Sequence, residues 1–254
     1  MLDDLPRGLI LLYHRVAQLA TDPYHLSVSP QVFRSQMQVL ADHWPVLTVS
    51  QGWQRVQQRQ PGCWVAVTFD DAYLDVLEQV WPALREDQSL TLFACTHQPE
   101  QEFWWDRLSD PALQPRLRRS PAPRLAAPNT GTATRLNAEQ LAWLGHQSQC
   151  EMGNHTHQHL SLTALDPLQQ ACEILQARQL LQQWTGQPVP GLAYPFGDFN
   201  DRVRQQAAAH CEWACGVRPG LVWKGVDPYQ LPRLWAPNLI GEEFHQWLCT
   251  GGLS

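Results

Sequence analysis

The run Val65-Ala66-Val67-Thr68-Phe69 stops at two adjacent acids, Asp70 and Asp71. A short apolar run rich in β-branched residues reads as a strand covered on both faces, as in a parallel sheet, and it delivers both carboxylates to the sheet's rim. Two like charges side by side are costly there unless a cation offsets them. Far downstream, Gly153-Asn154-His155-Thr156-His157-Gln158-His159 supplies two imidazoles at i and i+4, which can face one way and complete a cation site. Taken singly, Asp70-Asp71 is equally a strand-end turn or a helix N-cap, and the histidine pair a polar helix face. Their joint occurrence points to a metal-dependent hydrolase with three metal ligands and one free carboxylate.

The rest of the chain alternates strand-like and helix-like stretches, the order of parallel βα units. Strands are expected at 8–13, 64–69, 90–95, 191–194 and 213–217, and helices at 29–41, 75–87, 137–147, 167–184 and 201–210. Ser29, Asn137 and Asp166 serve as N-caps. With 254 residues, 44% of them hydrophobic, the chain suits one α/β barrel-sized domain over 1–254. One stretch breaks the rhythm. Between about 98 and 137 the chain carries Pro99, Pro111, Pro115, Pro121, Pro123 and Pro128 among Arg107, Arg116, Arg118, Arg119, Arg124 and Arg135. This excursion reads as a solvated loop or as a lid that recognises an anionic group.

A net charge of -6 offers no general attraction for nucleic acid or an anionic membrane, so neither is an expected partner. The seven cysteines are odd in number and form no CxxC pair, which fits reduced thiols. The acidic start Met1-Leu2-Asp3-Asp4 is no signal peptide, and no stretch reaches membrane-spanning length. The expected location is therefore cytoplasmic, or periplasmic or extracellular if a leader has been removed.

In series, Thr68-Phe69-Asp70-Asp71, then Glu151-Met152-Gly153-Asn154-His155-Thr156-His157-Gln158-His159, then Ala193-Tyr194-Pro195-Phe196-Gly197-Asp198 resembles the NodB-like polysaccharide deacetylases, carbohydrate esterase family four. The resemblance implies a distorted, incompletely closed (β/α) barrel and removal of N-acetyl groups from an acetylated sugar or polysaccharide by metal-activated water. It implies that Asp70 is the general base, that Asp71, His155 and His159 hold one divalent ion, most simply Zn²⁺ with Ni²⁺ or Co²⁺ as neighbours, and that the Phe196 N–H faces the developing oxyanion. The family's usual C-terminal Leu-x-His is absent, and His245 sits in a helical pattern. Leu12-Tyr13-His14-Arg15-Val16 instead is similar to the subgroup of poly-N-acetylglucosamine deacetylases that carry the catalytic histidine on an N-terminal strand, which makes His14 the general acid. Two related outcomes stay open: an amidase acting on a small or lipid-linked molecule, and a catalytically inactive carbohydrate-binding barrel.

Two positions depart from the family's pattern. Ala72 stands where its first motif ends in Gly, so the turn is expected to avoid a left-handed backbone. Ala193 stands where an Arg usually steadies the base, and Arg233, in Leu231-Pro232-Arg233-Leu234-Trp235, either supplies that charge or is a surface residue beside a Pro turn. His157 is expected to point away from the metal, either behind the ligands or on the surface. Tyr194, Trp104 and Trp105 are candidate sugar contacts, with Phe103 beside them, although such aromatics also serve as ordinary packing.

Overall fold

In the computed structural model, residues 7–19, 22, 24–99, 101–103, 106 and 133–252 are described. The apolar runs become strands β1 (Arg7–Tyr13), β2 (Arg15–Val16), β3 (Ser27–Val28), β4 (Val46–Leu47), β5 (Cys63–Phe69), β6 (Leu90–Ala94), β7 (Cys150–Asn154), β8 (Gly191–Ala193), β9 (Trp213–Cys215) and β10 (Leu234–Trp235). Helices α1 (Pro30–His43), α2 (Val49–Gln57), α3 (Ala138–Gly145), α4 (Pro167–Thr185), α5 (Asp201–His210) and α6 (Gly241–Cys249) run between and after them.

Caps decide where the helices begin. Ser29 accepts from the Val32 N–H, and Asn137 and Asp166 each form a reciprocal capping box with the glutamine three residues on. Helix α2 and strand β7 were not among the expected elements, although Thr48 and Gln51 carry the same capping-box signal for α2. The helix expected over 75–87 is instead a π turn at Val76–Val80 followed by a 3-10 turn at Trp81–Ala83. Pro82 has no N–H to continue an α-helix, and Asp75 makes no side-chain cap.

The main sheet runs β10-β1-β5-β6-β7-β8-β9, with β4 also on β5, and its ladders are parallel. It is an open, strongly curled half-barrel, as expected. The two ends of the order approach each other through a bridge between Cys215 and Leu231.

Alternate positions along the strands separate inside from outside. Leu9, Leu11 and Tyr13 of β1 and Val65, Val67 and Phe69 of β5 pack outward into one cluster with helix α1. Ile10, Trp64, Ala66, Phe93, Ala193, Trp213 and Cys215 form a second, inner cluster, which α2 covers with Val49, Trp53 and Val56. The inner parity is the one that matters for chemistry. Continued beyond the strand ends, 10 leads to 14, 64 and 66 lead to 70, and 153 leads to 155.

Candidate active site

Strand register places the site. Tyr13 pairs with Phe69 and Ala94 with Asn154, so His14, Asp70 and His155 emerge one residue later at the same C-terminal rim. Backbone bonds extend the ladder into the site: the Asp70 N–H donates to Tyr13 O at 3.0 Å and the His155 N–H to Ala94 O at 3.1 Å.

After Asp70 the chain turns abruptly. Asp71 and Ala72 have φ of 71° and 55°, so the left-handed turn that Ala72 was expected to avoid is present. The turn is held from both sides, the Leu136 N–H donating to Ala72 O and the Leu74 N–H to Thr134 O, each at 2.8 Å. Those bonds offset the roughly 1–2 kcal/mol that a Cβ costs in this region. The result is that adjacent acids point to different partners.

Asp71 Oδ1 stands 3.5 Å from His155 Nε2 and 3.3 Å from His159 Nε2, and the two Nε2 atoms are 3.2 Å apart. All three residues are buried, and Asp71 Oδ1 makes no hydrogen bond. The His155 Nδ1 donates to Ala193 O at 2.8 Å, which leaves its Nε2 lone pair facing the other two donors. Donors about 2.1 Å from one tetrahedral ion lie ~3.4 Å apart, so this set fits a divalent metal. Burial lowers the His159 pKa to about 3 against the pull of Asp71, keeping that imidazole a neutral donor in the metal-free chain.

The two candidate ligand histidines, His155 and His159, are not on a helix. Thr156 and His159 adopt φ of 67° and 57°, and the loop between them is braced from behind. Asn154 Oδ1 accepts from the Thr156 N–H at 2.7 Å, and its Nδ2 donates to Ile174 O at 2.8 Å. Glu173 of α4 accepts from the Gln158 N–H through Oε2 at 2.7 Å and from the His157 N–H through its carbonyl at 3.1 Å. His157 turns away, its Nδ1 2.8 Å from Thr96 Oγ1, and it is buried, not on the surface. Nothing in the sequence linked Glu173 to this loop, because the contact joins a helix to a turn fifteen residues earlier.

Asp70 belongs to a different partner. Arg233 donates to both of its oxygens, Nη1 to Oδ1 and Nη2 to Oδ2, each at 2.7 Å. This guanidinium is fully buried and also donates through Nε to Gly216 O at 2.9 Å. It is a core residue and not a surface Arg. Burial alone would raise the Asp70 pKa, but Arg233 and His155 outweigh it and leave the carboxylate below its usual range. Asp70 Oδ2 is 3.9 Å from His155 Nε2, beside the group formed by Asp71, His155 and His159 and not part of it.

His14 faces these acids from β1. Its ring stacks on Trp235 at 5.0 Å with planes 20° apart, and its Nδ1 is buried without a hydrogen-bond partner. Burial lowers its pKa, opposed by Asp71 and Asp70 and reinforced by Arg233 and His155. Trp235 was not anticipated as a site residue. Its signal was the alternation Arg233-Leu234-Trp235, which puts 233 and 235 on one side of a strand, toward Asp70 and His14.

The third motif makes a tight turn. Phe196 has φ of 60° and Gly197 of 64°, and a Cβ at Gly197 would lie 2.2 Å from Val217. The Phe196 ring is half exposed and meets His159 edge-on at 4.6 Å. Tyr194 is fully buried, stacked on Phe199 with its hydroxyl donating to Tyr229 O at 2.9 Å, so its side chain belongs to the core and not to a sugar surface. Trp104 and Trp105 lie outside the described residues, as does most of the 98–137 excursion. What is described of its base is tied to the site. Arg135 donates to the carbonyls of His97, Gln98 and Gln101 and lies 4.2 Å over Phe103, whose ring is 5.3 Å from His159.

His245 lies on α6, stacked on His43 at 4.1 Å and 3.7 Å from Glu242, none of which belongs to the site. All seven cysteines are free. Among the described residues no helix is long and apolar enough to cross a membrane.

Comparison with known proteins agrees with this fold. The sequence profile of the family described as Polysaccharide deacetylase matches residues 57–211, more than half the chain. The Bacillus subtilis (strain 168) protein YxkH is 24% identical over 247 residues, covering 94% of this chain and 75% of that protein. Among solved structures, the Streptococcus pyogenes deacetylase PplD in complex with acetate superposes with a TM-score of 0.74 at 20% identity, over 94% of this chain and 96% of that one. IcaB from Ammonifex degensii gives 0.73 at 18% identity, over 98% and 97%.

Proposed function

We propose, from the premise that this chain belongs to the polysaccharide deacetylase family, that it hydrolyses the N-acetyl group of an acetylated carbohydrate with the help of one divalent metal ion. The observation that carries this reading is the separation of the two acids: Asp71 joins His155 and His159 within 3.5 Å, while Asp70 is reserved for Arg233. When bound by Asp71, His155 and His159, the ion supplies Lewis-acid polarisation of the acetyl carbonyl and acidifies a water.

The chain's own groups do the rest. Asp70, kept ionised by Arg233, takes a proton from the attacking water as its oxygen bonds to the acetyl carbon. The Phe196 N–H faces the oxygen on which negative charge develops. His14 donates a proton to the nitrogen as the C–N bond breaks, so the products are acetate and a free amine. Trp235 holds the His14 ring in place, and a stacked indole favours its protonated form.

Metal analysis tests the ligand set. One zinc, nickel or cobalt ion per chain is expected, with acetate release from a panel of acetylated sugars lost on chelation and restored by adding the ion back. His155→Ala and Asp71→Ala should bind no stoichiometric metal. Unchanged stoichiometry in either variant overturns the assignment.

A pH profile tests His14. Activity needs His14 protonated and Asp70 ionised, so kcat/KM should follow a bell. Its alkaline limb falls as pH rises through the His14 pKa, which burial places below the usual imidazole range. His14→Ala should remove that limb and slow amides more than activated esters, whose leaving groups need little protonation. An equal loss on both substrate types makes His14 structural.

A further inference from the structure

We propose that His43, His245 and Cys249, where α1 and α6 meet at the surface, form a second divalent-metal site that takes zinc or a neighbouring transition ion and staples α6 to α1. It shares no residue with the catalytic rim and does not depend on the deacetylase reading. The His245 Nε2 stands 3.7 Å from Cys249 Sγ. An ion about 2.1 Å from an imidazole nitrogen and about 2.3 Å from a thiolate sulfur sets the two ~3.6 Å apart in tetrahedral geometry, so this pair is already at ligand spacing.

Helix packing places these side chains. Phe244 and Leu248 bury one face of α6 in the outer cluster that also holds Phe33, Met37 and Leu40 of α1, and the Gly241 N–H donates to Ser35 Oγ at 3.1 Å. His245 and Cys249 each follow one of those buried residues and lie four apart on one face, so they flank the seam between the helices. His43, the last residue of α1, meets them from the other helix, its ring stacked on His245 at 4.1 Å with planes 27° apart. Both helices therefore end on a ligand of the site, α1 at His43 and α6 at Cys249, and the negative ends of helix dipoles favour a cation.

Glu242, one turn before His245, sets the tautomer. Its Oε1 is 3.7 Å from His245 Nδ1, so the carboxylate draws the ring proton to that side and leaves the Nε2 lone pair for the ion, the arrangement that orients metal-bound histidines. Among the described residues only Asp71, His155 and His159 hold three ligand atoms together without movement. Here two are set and the third swings in: His43 is exposed, and turning its ring off the stack points a nitrogen at the ion. Cys249 is also exposed, its thiol proton passes to solvent as the sulfur–metal bond forms, and water fills the fourth position. Ligands this accessible hold an ion less tightly than the buried set, so the second ion loads in excess metal and does not enter the one-ion stoichiometry of washed protein.

The test is a cobalt titration of the full chain followed by absorption spectroscopy. Asp71, His155 and His159 offer no thiolate, so a sulfur-to-cobalt charge-transfer band reports the second site alone. In the wild type this band should grow as cobalt is added beyond one equivalent and should bleach when zinc displaces it. Cys249→Ser should lose the band while keeping the tight first ion. His43→Ala and Glu242→Gln should each weaken the second ion by at least about tenfold. Excess zinc should also slow amide hydrogen exchange across α6 in the wild type and not in Cys249→Ser, because an ion bound to both helices opposes their separation. No thiolate band in the wild type, or one that persists in Cys249→Ser, overturns the site. A band of unchanged affinity in His43→Ala overturns the staple, since the ion would then sit on α6 alone.

Discussion

Asp70→Asn is expected to keep the bound metal and to slow acetate release by about 10²–10⁴-fold, the usual cost of removing a general base. The amide is nearly isosteric, and Asp70 is not among the three atoms that converge on the metal position, so metal stoichiometry should hold. What is lost is a proton acceptor poised beside that position, with Oδ2 3.9 Å from His155 Nε2. The amide also turns an N–H₂ toward the two Arg233 donors that now meet carboxylate oxygens at 2.7 Å. Stability should drop as well, so turnover is to be measured well below the variant's own unfolding temperature. Near-normal turnover with metal in place would take Asp70 out of the mechanism.

Arg233→Met should cost about 3–5 kcal/mol, since removing one partner of a buried pair leaves an uncompensated charge. With the guanidinium gone, burial is the largest influence on Asp70, and its pKa should rise. The sign follows from linkage. In the wild-type metal-free chain the folded Asp70 pKa is depressed, so its stabilisation is present above the unfolded carboxylate pKa and is lost as pH falls through the folded value. In the variant the folded pKa lies above the unfolded one, so Asp70 destabilises the chain as pH rises through that range. The acid limb of the activity profile should move upward with it. Combining Arg233→Met with Asp70→Asn should restore part of the lost stability, because the double variant buries no lone charge. Denaturant midpoints of the metal-free single and double variants check this; additive costs would mean that the pair is not coupled.

Much of the fold was legible because each local signal agreed with the global one. Ser29, Asn137 and Asp166 announce their helices through side chains that reach the first-turn N–H groups, and the apolar run to Phe69 announces β5. Helix α2 was legible in principle, since Thr48 and Gln51 form the same capping box, but its run Val49–Gln57 is short and mostly polar. Strand β7 was hidden by its own content. Cys150-Glu151-Met152-Gly153-Asn154 lacks the β-branched residues that mark strands, and it pairs because β6 and β8 lie on either side. Ala72 shows the limit from the other direction. Propensity disfavours a left-handed alanine, and two backbone bonds from residues 134–136 impose it.

Of the site, the sequence by itself determined the chemical inventory: two acids at a strand end, two imidazoles four apart, and a histidine closing the first strand. Strand ends and spacing are local properties of the chain, so they survive without knowledge of the fold. Only the tertiary structure decided which acid meets which partner. Asp70 and Asp71 are neighbours in sequence, and their separate surroundings come from a turn held by residues 134–136 and from Arg233, 163 positions from Asp70. The same curl of the sheet sets Trp235 against His14 and Glu173 behind the ligand loop. Contacts of that range depend on how strands pair and close, which the energies of local segments do not specify.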